Sequence, residues 1–188
     1  MTTMNRGSER IRRDAPADAI GVDCPAGDRR RSLKVVEIAG IAASDDLNDL
    51  LVTYSLGSCV GLAIYDPTQR IGGLLHSMLP LSKDNKDRSL TSPGMFTDLA
   101  VVELLNRVLN LGARKDRLIA KVAGGGSPLT GMSANIGERN LVVVRKILWK
   151  NNIIISGADI GGTLPKTLRL YMDSGRVTVS VGRTEKDL

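Results

Sequence analysis

From residue 33 onward the apolar residues fall into short alternating runs and two longer helical stripes. The clearest pair of runs flanks Asp66-Pro67-Thr68-Gln69. Val60, Leu62 and Ile64 alternate with Gly61, Ala63 and Tyr65, and Leu74, His76 and Met78 alternate with Leu75, Ser77 and Leu79. Two period-2 runs split by a turn with Asp and Pro predict a β-hairpin with one buried face. A turn centred between Pro67 and Thr68 sets residue 59 opposite residue 76, where Cβ atoms lie about 4.5–5.5 Å apart. Pro67 suits the second position of a type I turn and not a type I′ turn, so the loop should exceed two residues. A slip of one residue would turn Cys59 and His76 to opposite faces.

The remaining pattern predicts a strand over Val35, Val36, Ile38 and Ile41, a loop at Ser44-Asp45-Asp46 and a strand leading to Thr53. Residues 83–91 read as a polar loop. Ser92-Pro93 offers a helix start for the stripe Ala100, Val101, Leu104, Leu105 and Val108, with Gly112 as its stop. Residues 118–122 form a short strand before Gly124-Gly125-Gly126. A second helix covers about 136–150 on Leu141, Val144, Ile147 and Leu148. Ile153, Ile154 and Ile155 read as a buried strand, and strands over 168–172 and 177–181 close the chain as a hairpin about Asp173-Ser174-Gly175. Two main helices and about seven strands predict a single-domain α+β fold, a sandwich of mixed, largely antiparallel sheets.

Composition narrows the class. A chain of 188 residues fits one domain that needs neither disulfide nor metal to stand. Aromatics are only 3%, so the core must be aliphatic, and a base-stacking surface for nucleic acid is not expected. No apolar run is long enough for a membrane span. Charges occupy the place of a signal peptide's apolar region, which predicts a cytoplasmic protein. Residues 1–32 carry Arg6, Arg10, Arg12, Arg13, Arg29, Arg30 and Arg31 without apolar periodicity and read as a disordered basic tail, with the domain at 33–188. Two separated cysteines and one histidine make neither a disulfide framework nor a zinc site, so no metal is expected.

Two features invite chemistry. Gly124-Gly125-Gly126-Ser127 follows a strand but lacks the Gly-Lys-Ser/Thr of a phosphate loop, so its glycines read as serving close approach or tight turns. Cys59 lies between Gly57 and Gly61, with Thr53 and Ser58 nearby and the only imidazole, His76, across the hairpin. An adjacent imidazolium can make a thiolate at neutral pH. Spacing alone leaves a nucleophile and a small buried hydrophobe as two readings of Cys59. Cys24, beside Pro25 in a polar stretch, reads as inert.

Thr53, the run Leu56-Gly57-Ser58-Cys59-Val60, His76 and Met78-Leu79-Pro80 resemble the motif of the CheD family, the chemoreceptor glutamine deamidases of bacterial and archaeal chemotaxis. Pro93-Gly94, Asp98, Gly112-Ala113, Lys121, Gly124-Gly125, Ile136-Gly137-Glu138-Arg139-Asn140 and Asp159-Ile160-Gly161-Gly162 extend the resemblance over about residues 35–181. After Gly162 the family commonly has a Gly-Arg pair, whereas this chain reads Thr163-Leu164-Pro165-Lys166-Thr167. Lys166 keeps a cation but not a planar fork.

The resemblance implies an α/β sandwich related to the deamidase domain of cytotoxic necrotizing factor toxins. It implies a protein-glutamine glutaminase without cofactor, with Cys59 as nucleophile, His76 as acid–base and Thr53 as the third member. Gly57, Ser58, Gly124, Gly125 and Lys166 then belong to the oxyanion and substrate loops. The substrate it implies is a glutamine of a chemoreceptor's cytoplasmic helical bundle. Loops at 83–92, 124–135 and 161–166 should select it, with Lys83, Lys86, Arg88 and Lys166 steering an acidic partner. Two other readings go with it: a regulator that binds a CheC-type phosphatase, and a cysteine amidase acting on another substrate.

Overall fold

The alternation at the centre of the chain hides apolar residues on both sides. Strands β4 (Val60–Asp66) and β5 (Ile71–Ser77) are buried along their whole length. In the computed structural model, which describes residues 31–127 and 135–188, they occupy the middle of a five-stranded sheet. Its order is β2 (Ile41–Ser44), β5, β4, β6 (Ile119–Gly124) and β7 (Ile154–Ile160). A second five-stranded sheet runs β1 (Ser32–Val35), β3 (Asp49–Leu56), β8 (Lys166–Tyr171), β9 (Val177–Val181) and β10 (Thr184–Asp187). The β1–β3 and β6–β7 pairs are parallel and the others antiparallel, so the α+β fold has two mixed sheets.

The helices are α1 (Lys86–Thr91), α2 (Thr97–Asn110) and α3 (Ile136–Lys150). Val60, Leu62 and Ile64 join Leu104 and Val108 of α2 and Val144 and Leu148 of α3 in one core. Ala63, Tyr65 and Leu74 join Leu51, Leu168 and Leu170 of the second sheet in another. The order is therefore sheet, sheet, helices. The expectation of one buried hairpin face gives way to two, because one face packs on the helices and the other on the second sheet.

The hairpin closes at Asp66 and Ile71, leaving a four-residue loop. The buried Asp66 carboxylate fixes that loop by accepting bonds from the Thr68 and Gln69 amides at 2.9 and 3.1 Å. It also takes the Arg114 amide at 2.8 Å and the Arg117 guanidinium at 3.0 Å. Burial alone would raise its pKa, but these donors hold it below the usual carboxylate range. The turn centre thus lies between Thr68 and Gln69, one position later than expected.

Other boundaries shift for local reasons. The strand expected over residues 35–41 is broken by a turn with Ala39 at φ 64°, and its halves enter different sheets. Pro93–Met95 forms a 3-10 turn, and α2 begins only at Thr97. The polar loop at 83–91 contains α1. Helix α3 has the predicted bounds. Ile154 is 75% exposed, because β7 is an edge strand, so the buried strand expected there is not found. The described residues hold ten strands where about seven were expected, and β10 is too polar to show alternation. The basic tail expected over residues 1–32 lies outside the described residues, except for Arg31 and Ser32, which opens β1.

Candidate active site

The two sheets meet at a hydrogen bond. Thr53 Oγ1 of β3 lies 2.7 Å from His76 Nδ1 of β5. Both side chains are buried, Thr53 completely and His76 to 1% exposure. Even-numbered residues of β5 face the second sheet, as Leu74 shows, so His76 points across the sandwich toward β3. Its other ring nitrogen, Nε2, is buried and has no hydrogen-bond partner.

His76 pairs with Gly61, not with residue 59. The expected opposition of Cys59 and His76 is therefore off by two positions, a consequence of the four-residue turn. An error of two keeps the pleat parity, so the face assignment survives. Cys59 packs against the core between the sheets, on the layer that His76 enters. It lies just before β4, diagonal to His76 in the extended register. Diagonal neighbours on one sheet face are about 7–8 Å apart between backbones, within reach of longer side chains. Cys59 Sγ makes no hydrogen bond to Nε2 here. Such contacts are often loose in ligand-free enzymes.

Cys59 is half-buried, and it is the free thiol among the described residues; Cys24 lies outside them. Burial pushes the thiol's pKa up, while its own backbone amide, lying against the sulfur, pulls the other way. Burial also takes His76 from its ordinary 6.5 down to about 4. Desolvation penalises the charged form of each. Both shifts favour the neutral forms, thiol and imidazole, over a thiolate–imidazolium pair.

The loop carrying Cys59 is clasped by backbone. Gly125 N donates to Cys59 O and Gly126 N to Gly57 O, both at 2.7 Å. Gly161 N donates to Gly124 O at 2.9 Å, which ties the 161–162 turn to the same strip. Gly124 has φ +98°, and a Cβ there would meet the Cys59 carbonyl oxygen. The glycine run serves close approach, as its lack of phosphate-loop residues implied.

Several residues at the site had no role in the sequence reading. Asn140 of α3 is fully buried and donates to Ser58 O at 3.1 Å and to Met78 O at 3.0 Å. Thr97 Oγ1 donates to Asn140 Oδ1 at 3.0 Å and lies 2.9 Å from Ser77 Oγ. The available signal was an asparagine within the apolar stripe of α3, beside Leu141 and in line with Val144. Strand β3 has a bulge between Thr53 and Leu56, where Ser55 takes φ 59°. Bulges re-aim side chains next to sites. Nothing in composition marked this one.

Lys166 stands elsewhere than expected. It is the first residue of β8, 6% exposed, with its ammonium on the Asp159 carboxylate and, at 3.0 Å, on the Asp159 carbonyl oxygen. Hydrogen bonds from Lys166 and then Lys186 hold the Asp159 carboxyl below its usual pKa. The ammonium is buried and paired, where the sequence reading expected a loop cation at the substrate. Lys83, Lys86 and Arg88 are exposed around α1. Of the loop at 124–135, residues 128–134 lie outside the described residues. The described residues contain no cluster of three or more His, Cys, Asp or Glu side chains that could hold a metal. None of their helices is long and apolar enough to cross a membrane.

Comparisons with known proteins bear on this geometry. The family model described as CheD chemotactic sensory transduction matches residues 78–181, beginning just after His76. A Syntrophus aciditrophicus protein named "Probable chemoreceptor glutamine deamidase CheD 1" is 44% identical over 77% of this chain and 91% of its own. A Solibacter usitatus protein named "Probable chemoreceptor glutamine deamidase CheD" is 41% identical over 82% of this chain and 92% of its own. A similarly named Anaeromyxobacter dehalogenans protein is 41% identical over 80% and 96%.

Proposed function

Because the chain belongs to the CheD family, we propose that it is a chemoreceptor glutamine deamidase working through Cys59, His76 and Thr53. The observation that carries this reading is the buried Thr53–His76 hydrogen bond, which leaves Nε2 unpartnered toward the layer holding Cys59.

Nδ1–H donates to Thr53 Oγ1, which leaves Nε2 as the basic nitrogen. Cys59 Sγ attacks the carboxamide carbon of a receptor glutamine while Nε2 takes the thiol proton. The carbonyl oxygen becomes an oxyanion, held by backbone N–H groups of Ser58 and Cys59. Such a donor is worth about 2.7–4 kcal/mol elsewhere. The C–N bond then breaks, Nε2–H protonates the departing nitrogen, and ammonia leaves a thioester. Water attacks the thioester carbon and gives a proton to Nε2. The C–S bond breaks, glutamate is released, and the thiol is restored. No step requires a metal or an organic cofactor.

The substrate reading separates from a small-molecule amidase by ammonia release. A protein deamidase releases ammonia from a purified receptor signalling domain and not from free glutamine. Equal turnover of both would replace the receptor by a small amide as substrate.

A further inference from the structure

Three successive carbonyls around the thiol are held, and the middle one differs from its neighbours. Gly57 O and Cys59 O accept backbone amides of the glycine strip, each at 2.7 Å. Ser58 O accepts a side chain, Asn140 Nδ2, at 3.1 Å. The same NH2 group gives its second proton to Met78 O at 3.0 Å, two residues beyond His76. Its Oδ1 takes the hydroxyl proton of Thr97 at 3.0 Å, so the 2.9 Å Ser77–Thr97 contact is donated by Ser77. All of Asn140, Thr97 and Ser77 are fully buried. Every polar atom of the Asn140 amide is therefore committed, and its orientation is fixed.

A trans peptide points its C=O and the following N–H in opposite directions. Holding Ser58 O toward α3 turns the Cys59 N–H away from the helix. Among the described residues, neither the Ser58 nor the Cys59 N–H donates to another backbone group, and the Cys59 amide faces only its own sulfur. A donor beside the nucleophile that no other backbone group has taken is what a developing oxyanion needs. We propose that Asn140 is a positioning residue that fixes the Ser58–Cys59 peptide plane so that the Cys59 N–H faces the reacting carbonyl oxygen. This rests on the reading of Cys59 as nucleophile. Helix α3 can reach the loop because Gly137 leaves room for the Gly125 and Gly126 backbone, which a Cβ at 137 would strike.

Two reactions at Cys59 isolate the effect. Alkylation by iodoacetamide attacks a saturated carbon, expels iodide and forms no oxyanion. Acylation by 4-nitrophenyl acetate attacks a carbonyl, forms an oxyanion, then expels 4-nitrophenolate and leaves an S-acetyl group. Asn140→Asp keeps the size but has no proton for Ser58 O or Met78 O. Its acylation rate is expected to fall about 10- to 1,000-fold while alkylation is little changed. A merely structural asparagine would lower both together or neither, and that result overturns the proposal. So does a wild-type thiol that is alkylated but not acylated. If thermal melts show that Asn140→Asp does not fold, Thr97→Val decides. It removes only the hydroxyl that orients the amide, and it should lower the acylation-to-alkylation ratio in the same direction by less. An unchanged ratio in Thr97→Val would then overturn the idea. Neither reagent involves a receptor. A wild-type protein inactive on receptor glutamine defeats the proposed substrate, while this ratio still decides Asn140.

Discussion

Thr53 Oγ1 and His76 Nδ1 are joined at 2.7 Å by a hydrogen bond that passes from one sheet of the sandwich to the other. The pleat of β5 points the His76 side chain toward the second sheet, and the bond to Thr53 holds the ring there. Both side chains are buried, so the bond is shielded from water. Thr53→Ala should lower deamidation about 10- to 1,000-fold, within the range for acid–base assistance, whereas Cys59→Ala should abolish it. Thr53→Ser should retain most of the rate, because the acceptor remains. Thr53→Val, which keeps the shape, should resemble Thr53→Ala. Wild-type turnover in a folded Thr53→Val variant would make the hydroxyl irrelevant to catalysis.

The shifts at Cys59 and His76 predict how the thiol reacts across pH. With the thiol pushed up and His76 pushed down to about 4, Cys59 should be alkylated slowly at neutral pH and faster only in the alkaline range. A resting ion pair would instead give rapid alkylation at pH 5–6, which the neutral pair does not allow.

The same shift enters stability. The unfolded imidazole binds a proton below about 6.5, and the folded one only below about 4. Between these values the unfolded chain holds more protons, so stability is full above pH 6.5 and falls as pH drops toward 4, by about 3 kcal/mol at most. His76→Gln should flatten that part of the urea-unfolding profile. An unchanged slope would assign the acid sensitivity to other groups.

The faces of the central hairpin were legible because alternation survives any register error of two. The register itself was not legible, since it depends on Asp66 collecting the Thr68, Gln69 and Arg114 amides. Helix α3 was readable to its ends, yet Asn140 looked like one more polar residue until its partners Ser58 and Met78 were in place. The burial of Lys166 was not legible either. A lysine among Thr, Pro and Gly looks like an exposed loop cation, and only the folding-back of the chain between β7 and β8 brings Asp159 beside it.

The Lys166–Asp159 pair can be tested directly. Lys166→Met should leave Asp159 without its main partner and lower the unfolding midpoint, with little effect on KM of the folded fraction. A raised KM at unchanged stability would return Lys166 to the substrate surface. The steering expectation stays with Lys83, Lys86 and Arg88. Their joint reversal to Glu should raise KM and flatten its salt dependence while kcat holds. Unchanged KM at low ionic strength would remove that segment from the substrate path.

The bulge after Thr53 gives a further prediction. Ser55 at φ 59° occupies a conformation that costs a side-chain residue about 1–2 kcal/mol. Ser55→Gly should be close to neutral, since relief of strain offsets added unfolded-state freedom, and Ser55→Val should destabilise by more than about 1 kcal/mol. Equal stability of the two in urea unfolding would show that the bulge relaxes when substituted.

Cysteine-dependent deamidation is tested most directly by mass spectrometry of a receptor signalling domain incubated with the wild-type protein and with Cys59→Ala. The wild type should raise the mass of defined glutamine-bearing peptides by about 1 Da per site through conversion to glutamate, and Cys59→Ala should leave them unchanged. Equal conversion by both proteins, or by neither while the wild type is folded, would contradict it.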